Sequence, residues 1–343
     1  MLNVSIGVIG CGRIAQRFHI KTLSSLEGAK LVALCDIREE IACRLASRYH
    51  VEKVYNDYRE LLSDKTIEAV IISTPPESHF KILEEAASTG KHIFVEKPLA
   101  ETIEECKRAI EVCRSNGVKL MVGLMRRFDK ALIWSKEKIT SGILGRPFVI
   151  NSTYNHVSTY GDYLKKTDTN IVGKGKPSPS ISENMHLFLI NNLIHHADLM
   201  RWLGGQVERL LATMIIFDNY FTLNVTLKFA GKCLGHMQFN GPVNTDWHEE
   251  VVIHGTSGSL YIRMFFPYLD TPSSAVLISK ETNSRISPLS IVNTMYEDEL
   301  RHFVNCIINN LEPEPNGYQA LEAQKVISAI EESLEHKSWI DLP

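Results

Sequence analysis

Val4-Ser5-Ile6-Gly7-Val8-Ile9-Gly10-Cys11-Gly12-Arg13-Ile14-Ala15 passes from a short apolar run through two glycines into a helical pattern. Val4–Ile9 reads as a strand buried on both faces, and the six residues after it spell G-x-G-x-x-A. In that context Gly10 permits the tight turn and Gly12 lets a pyrophosphate approach the backbone. Ala15 is small enough for the helix to pack closely on the sheet. The free N–H groups at the helix start, around Arg13 and Ile14, favour an anion. A second apolar run, Leu31–Cys35, ends at Asp36, about twenty residues on, where a carboxylate accepts the ribose hydroxyls of an adenosine. That acid would repel a 2′-phosphate, which favours NAD over NADP. Arg38, two residues later, is able to pair with such a phosphate, so NADP stays open.

Working outward, strand and helix alternate. A helical pattern at Glu39–Tyr49 precedes strands at Ala69–Ser73, His92–Val95 and Lys119–Val122, with helices from about Pro76 to Ser88 and Ile103 to Asn116. Gly28, Gly90 and Gly117 follow helical stretches, where a left-handed C-cap is wanted. The pattern predicts an α/β Rossmann domain, a doubly wound parallel sheet, over residues 1–124. After Leu124 it changes. A helix at Phe128–Ser141, a strand at Pro147–His156 and a polar loop at Ser158–Ser180 lead to one long helix, Ser182 to Leu203. Strands then follow at Val207–Phe217, Tyr220–Phe229, Lys232–Asn240, Glu250–His254 and Leu260–Arg263. Helices near Glu297–Asn309 and Tyr318–Glu335 close the chain. Residues 125–343 are expected to form an α+β domain with an open, largely antiparallel sheet. The loop's length suits a binding or lid role.

Length and composition agree. The chain has 343 residues, enough for two domains. With 37 Lys+Arg against 40 Asp+Glu, the net charge of -3 gives no drive toward nucleic acid. No apolar run is long enough for a membrane span, and the N-terminus lacks the basic flank of a signal peptide. Seven cysteines, an odd number with no C-x-x-C, fit a reduced cytoplasmic protein and no structural zinc.

Further polar clusters stand where strands end. Thr74, Pro75 and His79 follow the third strand, and Glu96-Lys97-Pro98 follows the fourth. Strand ends of this kind are where ligands bind. His79 either lines the cofactor side or caps local backbone. Lys97 is suited to hold a hydroxyl or carbonyl oxygen and to stabilise developing negative charge. Thr74, Pro75, His79, Glu96 and Lys97 are therefore counted with Gly10, Gly12, Arg13, Ile14, Asp36 and Arg38 as cofactor contacts. Asn191 and His195 are spaced i, i+4 on one helical face, with Asp198 three residues beyond. His196 points elsewhere and reads as structural. No spacing argues for a metal.

Together, G-x-G-x-x-A, Asp36, Thr74-Pro75-Pro76-x-x-His79 and Glu96-Lys97-Pro98 resemble the Gfo/Idh/MocA oxidoreductases. Gly123–Phe128, the His195–Gly204 segment and Ile253–Leu260 extend the resemblance along most of the chain. It implies nicotinamide and substrate meeting in a cleft, Lys97 and His195 as the catalytic pair, and a homodimer or homotetramer. Many members carry an aspartate four residues before the histidine, where this chain has Asn191. Arg127, His156 and Asn191 join Lys97 and His195 as substrate-wall candidates, and Asn151, Tyr154, Asn155, Tyr160 and Asn184 add hydroxyl-compatible polarity. The expected activity is NAD(P)-linked oxidation of a secondary alcohol of a sugar, cyclitol or similar polyol. The alternatives are a silent dinucleotide sensor and a reductase or hydrolase using the same cofactor site.

Overall fold

The computed structural model describes residues 3–157, 170–173, 180–218, 220–244, 247–265, 267–268, 271–289, 291–292 and 294–342. Tyr160 and most of the polar loop lie outside them. The chain forms two compact units. Among described residues, the first gathers 3–125, 170–173 and 296–322, and the second gathers the rest.

The first unit is a six-stranded parallel sheet in the order β3-β2-β1-β4-β5-β6. Its strands are β1 (Val4–Ile9), β2 (Ala29–Cys35), β3 (Lys53–Tyr55), β4 (Ala69–Ile72), β5 (His92–Glu96) and β6 (Leu120–Gly123). The Val- and Ile-rich central runs are buried on both faces, as continuous apolar strands require. Chain order reverses between β1 and β4, so the crevice at their carboxyl ends is the topological switch point where ligands bind. The predicted helix after the glycine turn is a π-helical turn, Ala15–His19, running into Ile20–Leu23. Edge strand β3 and the helix Tyr58–Ser63 escaped the sequence pattern. Three half-buried residues give an edge strand no periodicity to read. The helix Met295–Ile308 closes over this unit: Phe303 meets the Phe94 ring edge-on at 5.9 Å, and Tyr296 stacks on Phe18.

The second unit is built on a nine-stranded sheet in the order β14-β13-β12-β11-β7-β10-β9-β8-β15. Its strands are β7 (Pro147–Val157), β8 (Val207–Phe217), β9 (Tyr220–Phe229), β10 (Cys233–Val243), β11 (Glu249–Gly255), β12 (Gly258–Met264), β13 (Ser274–Ser279), β14 (Ser284–Ile286) and β15 (Ile340–Asp341). All neighbours are antiparallel except β7 and β10. One face alternates into a core of Ile150, Val225, Phe239 and Ile253. The expected single helix from Ser182 to Leu203 is divided at Leu193 into Met185–Asn192 and Ile194–Gly204. Leu193 keeps right-handed helical angles, and the Leu193 and Ala197 amides still bond back to Leu189 and Leu193. Nothing in residue spacing therefore marks the division. Among the described residues no helix is long and apolar enough to cross a membrane.

Candidate active site

The glycine turn is built as its composition requires. Gly10 has φ +91, and a Cβ there would lie 2.5 Å from the Ser73 carbonyl oxygen. This close approach of β1's end to β4's end admits only glycine. A Cβ on Gly12 would meet nothing within 4 Å, so its flank is open to a ligand. Arg13 is exposed and Ile14 half-buried at the helix start. Asp36 is buried at the end of β2, where its two oxygens accept the backbone N–H groups of Cys11 and Arg38, each at 2.9 Å. Each oxygen keeps a second lone pair for a ribose hydroxyl. The Arg38 guanidinium lies 3.6 Å from the same carboxylate and is more than a third exposed. Ile37, between them, is 91% exposed and offers apolar surface beside the acid. An open glycine flank, a buried acid with spare lone pairs and an exposed apolar neighbour fit a dinucleotide with free ribose hydroxyls.

Sequence reasoning missed Gln16. Its amide donates to the Cys11 carbonyl at 2.7 Å and to the Val172 carbonyl at 2.8 Å, and it accepts the Val172 N–H at 2.8 Å. A segment distant in sequence is thereby pinned on the glycine turn. No local pattern could reveal a contact 156 residues away.

At β4's end, Thr74 accepts a hydrogen bond from Ser78 Oγ at 2.8 Å, and Pro75 is exposed. The fully buried His79 ring has its nitrogens 2.7 Å from the Pro98 carbonyl and 2.9 Å from the Thr74 carbonyl. A neutral ring donates to one of them. Burial holds its pKa below the usual value. His79 thus ties the turn after β4 to the turn after β5.

Glu96 closes β5 with both oxygens engaged. His19 Nε2–H donates to Oε1 at 2.7 Å, and the Lys97 N–H donates to Oε2 at 3.3 Å. The peptide that carries Lys97 is therefore fixed by the residue before it. Burial lowers the Lys97 pKa, and the Glu96 charge opposes that shift. The result is a lysine with a weakened hold on its proton at a ligand-facing strand end.

In the second unit the helix start at Ile194 brings His195 to a half-buried position, and Asn191, also half-buried, precedes it by about one turn. Several of the polar candidates make contacts within the protein. The buried Arg127 points its Nε and Nη2 at Asp198, at 2.8 and 2.5 Å, and its guanidinium lies 5.5 Å from the Trp202 ring. Arg127 and Asp198 are therefore a structural ion pair, and Asp198 does not join His195 as a polar face. Tyr154 is buried between the His196 and Phe239 rings, while Asn184 caps its helix and Asn155 accepts from Asn240. The Oδ1 atoms of Asn155 and Asn184 thus accept bonds within the fold. His156 is half-buried 6.0 Å from the Phe188 ring, and burial lowers its pKa. His196 is structural, as expected: Ser152 and Glu249 hold its two nitrogens, and Arg126 pairs with Glu249.

Two family models cover most of this chain. One, described as the oxidoreductase family's NAD-binding Rossmann fold, matches residues 4–124. The other, its C-terminal alpha/beta domain, matches residues 136–342. The chain is 31% identical to scyllo-inositol 2-dehydrogenase (NAD(+)) of Bacillus subtilis over 325 residues, 91% of this chain and 88% of that one. It is 33% identical to inositol 2-dehydrogenase of Salmonella paratyphi B over 229 residues, 66% of this chain and 62% of that protein. The chain thus spans a little under two thirds of that relative's length. The solved structure of scyllo-inositol dehydrogenase from Lactobacillus casei with bound NAD(H) and scyllo-inositol shares the fold at TM-score 0.79 and 22% identity, covering 99% of each chain. The glycine turn, Asp36 at the end of β2 and the Glu96-Lys97-Pro98 strand end all lie within the matched first domain, and with that match this chain belongs to the Gfo/Idh/MocA oxidoreductases, the family with an NAD-binding Rossmann fold and a C-terminal alpha/beta domain.

Proposed function

We propose that this protein is an NAD-dependent dehydrogenase acting on a secondary alcohol of a cyclitol or closely related sugar. The observation that carries the reading is Lys97, clamped by Glu96 at the end of β5 in the unit that holds the dinucleotide turn. The inositol dehydrogenases among its relatives support a cyclitol substrate. Residues 1–124 supply the cofactor contacts and the second unit carries the rest of the substrate wall in this proposal.

NAD+ supplies the hydride acceptor when bound. Lys97 holds the substrate oxygen and stabilises the alkoxide character that grows as the hydroxyl proton leaves. The neutral imidazole of His195 takes the hydroxyl proton and returns it in the reverse direction. Asn191 and His156 orient the polyol. Asn191 carries no charge to raise the basicity of His195, so it positions rather than activates.

We also propose a cytoplasmic homodimer or homotetramer. Its support is the outer face of the second unit's sheet, where Val252, Tyr261 and Val276 stand side by side across β11, β12 and β13. Light scattering on the purified protein tests it, and a monomer would refute it.

The test of activity is NAD+ reduction with a panel of inositols, sugars and amino sugars. Turnover on a cyclitol is expected. Lys97→Met should lower kcat about 10²–10³-fold and His195→Ala about 10²–10⁴-fold. Because both residues act on one oxygen, the double variant should lose less than the product of the two. Tight NAD binding with no turnover on any member would move the reading to a dinucleotide sensor.

A further inference from the structure

Around Glu96, the residue before Lys97, lies a cluster of which the proposed reaction uses Glu96 alone. His19, Glu96 and Glu299 each place a nitrogen or oxygen within 4.8 Å of the others. Glu299 stands on the helix Met295–Ile308 and is 0% exposed, as is His19. Both Glu299 carboxyl oxygens, and the Nδ1 of His19, lack a hydrogen-bond partner among the described residues. Two adjacent carboxylates, Glu299 fully buried and Glu96 half-buried, would carry two negative charges in one pocket. Like charges so placed do not both ionise. The ionised member is identified by its bonds: Glu96 accepts from His19 and from the Lys97 amide, whereas Glu299 accepts from nothing described.

We propose that Glu299 is a neutral carboxylic acid at neutral pH, that it and Glu96 together carry a single negative charge, and that it is thereby a positioning residue for Lys97. Electrostatics point the same way. Burial, and then the Glu96 charge, drive the Glu299 carboxyl well above the usual range. Burial pushes Glu96 up too, but His19, Lys97 and His79 outweigh it and hold Glu96 low. The titratable groups acting on the pair are thus His19 from the π turn, Glu96 and Lys97 from the end of β5, and His79 from its own helix. The consequence for Lys97 rests on its assignment under Proposed function; the charge state of Glu299 does not.

Infrared difference spectroscopy in H2O and D2O reads that charge state directly. The wild type at pH 7 should show the carbonyl stretch of a buried protonated carboxyl, fading at alkaline pH and absent from Glu299→Gln. No such band in the wild type would overturn the proposal, and that result does not need the variant to fold. A stoichiometric divalent metal on the purified protein would also overturn it, because a cation would then balance the charge. The kcat pH profile tests the link to Lys97. Glu299→Gln cannot acquire the second charge that favours the ammonium at high pH, so its alkaline limb should move to lower pH by up to about one unit, a tenfold change in proton affinity. A uniform fall in kcat with an unmoved limb would reduce Glu299 to a packing role. If Lys97→Met proves fully active, the catalytic reading fails while the infrared result stands independently.

Discussion

Asp36 holds the turn with the same carboxylate that, in the proposed function, receives the cofactor's ribose. Its two accepted amide bonds tie the start of the glycine turn to the end of β2, so its replacement loosens the turn as well as removing a ribose contact. Asp36→Ala should weaken NAD more than NADP and narrow the gap between them, measured by titrating both cofactors. NADP binding more tightly than NAD in the wild type would assign control of the pocket to the nearby Arg38. At the polyol end, Asn191→Ala should retain measurable turnover and raise the apparent KM. Complete loss of kcat with unchanged substrate binding would place Asn191 in the chemical step. Residue placements were legible in the sequence wherever backbone geometry demanded one residue type, as at Gly10, or where a strand runs into a charged residue, as at Asp36 and Lys97. They were hidden where a distant group decided them. Arg127 reads as an available cation until Asp198 is seen against it, and Glu299 reads as one more acid on an amphipathic helix.

Elements carry their own tests. The Arg127–Asp198 pair joins the turn after β6 to the helix Ile194–Gly204, which also packs on β7 and β10. Asp198→Ala would leave a guanidinium buried without its counter-charge, at a cost of about 3–5 kcal/mol. Urea unfolding should show that loss, and a change below about 1 kcal/mol would mean that the pair is screened by solvent. The parallel sheet was readable from β1, β2, β4, β5 and β6 because strands buried on both faces are continuous apolar runs. Strand β9 was readable from the alternation of Phe221 to Phe229. Short edge pieces, β3, β14 and β15, offer two or three residues and no period. The division at Leu193 escaped because apolar residues surround it on every side.

For the molecule as a whole, two buried acids set opposite limbs of stability against pH. Burial pushes Glu249 up, but Arg126 and His196 outweigh it and hold its carboxyl below the usual range. Its contribution is fully present above the unfolded value and is lost as pH falls through the folded one. Glu299 has the reverse sign: its raised folded value gives stability below the ordinary carboxyl range that is lost as pH rises. The thermal midpoint should therefore pass through a maximum between the two limbs. Glu299→Gln should flatten the alkaline side, where a single group contributes at most about 1.4 kcal/mol per pH unit. An alkaline limb equally steep in the variant would remove Glu299 from this account.

The first unit is assembled from stretches that leave the ribosome at very different times. Its sheet is complete by Gly123, but the helix that seats Phe303 against Phe94 and Tyr296 against Phe18 begins at Met295. At about 5–20 residues per second, the nascent sheet waits on the order of ten to thirty seconds for its cover. During that interval Phe94 and Phe18 face solvent or a chaperone. A nascent chain stalled before Met295 should accordingly be digested rapidly by protease, and one released after Glu322 should resist.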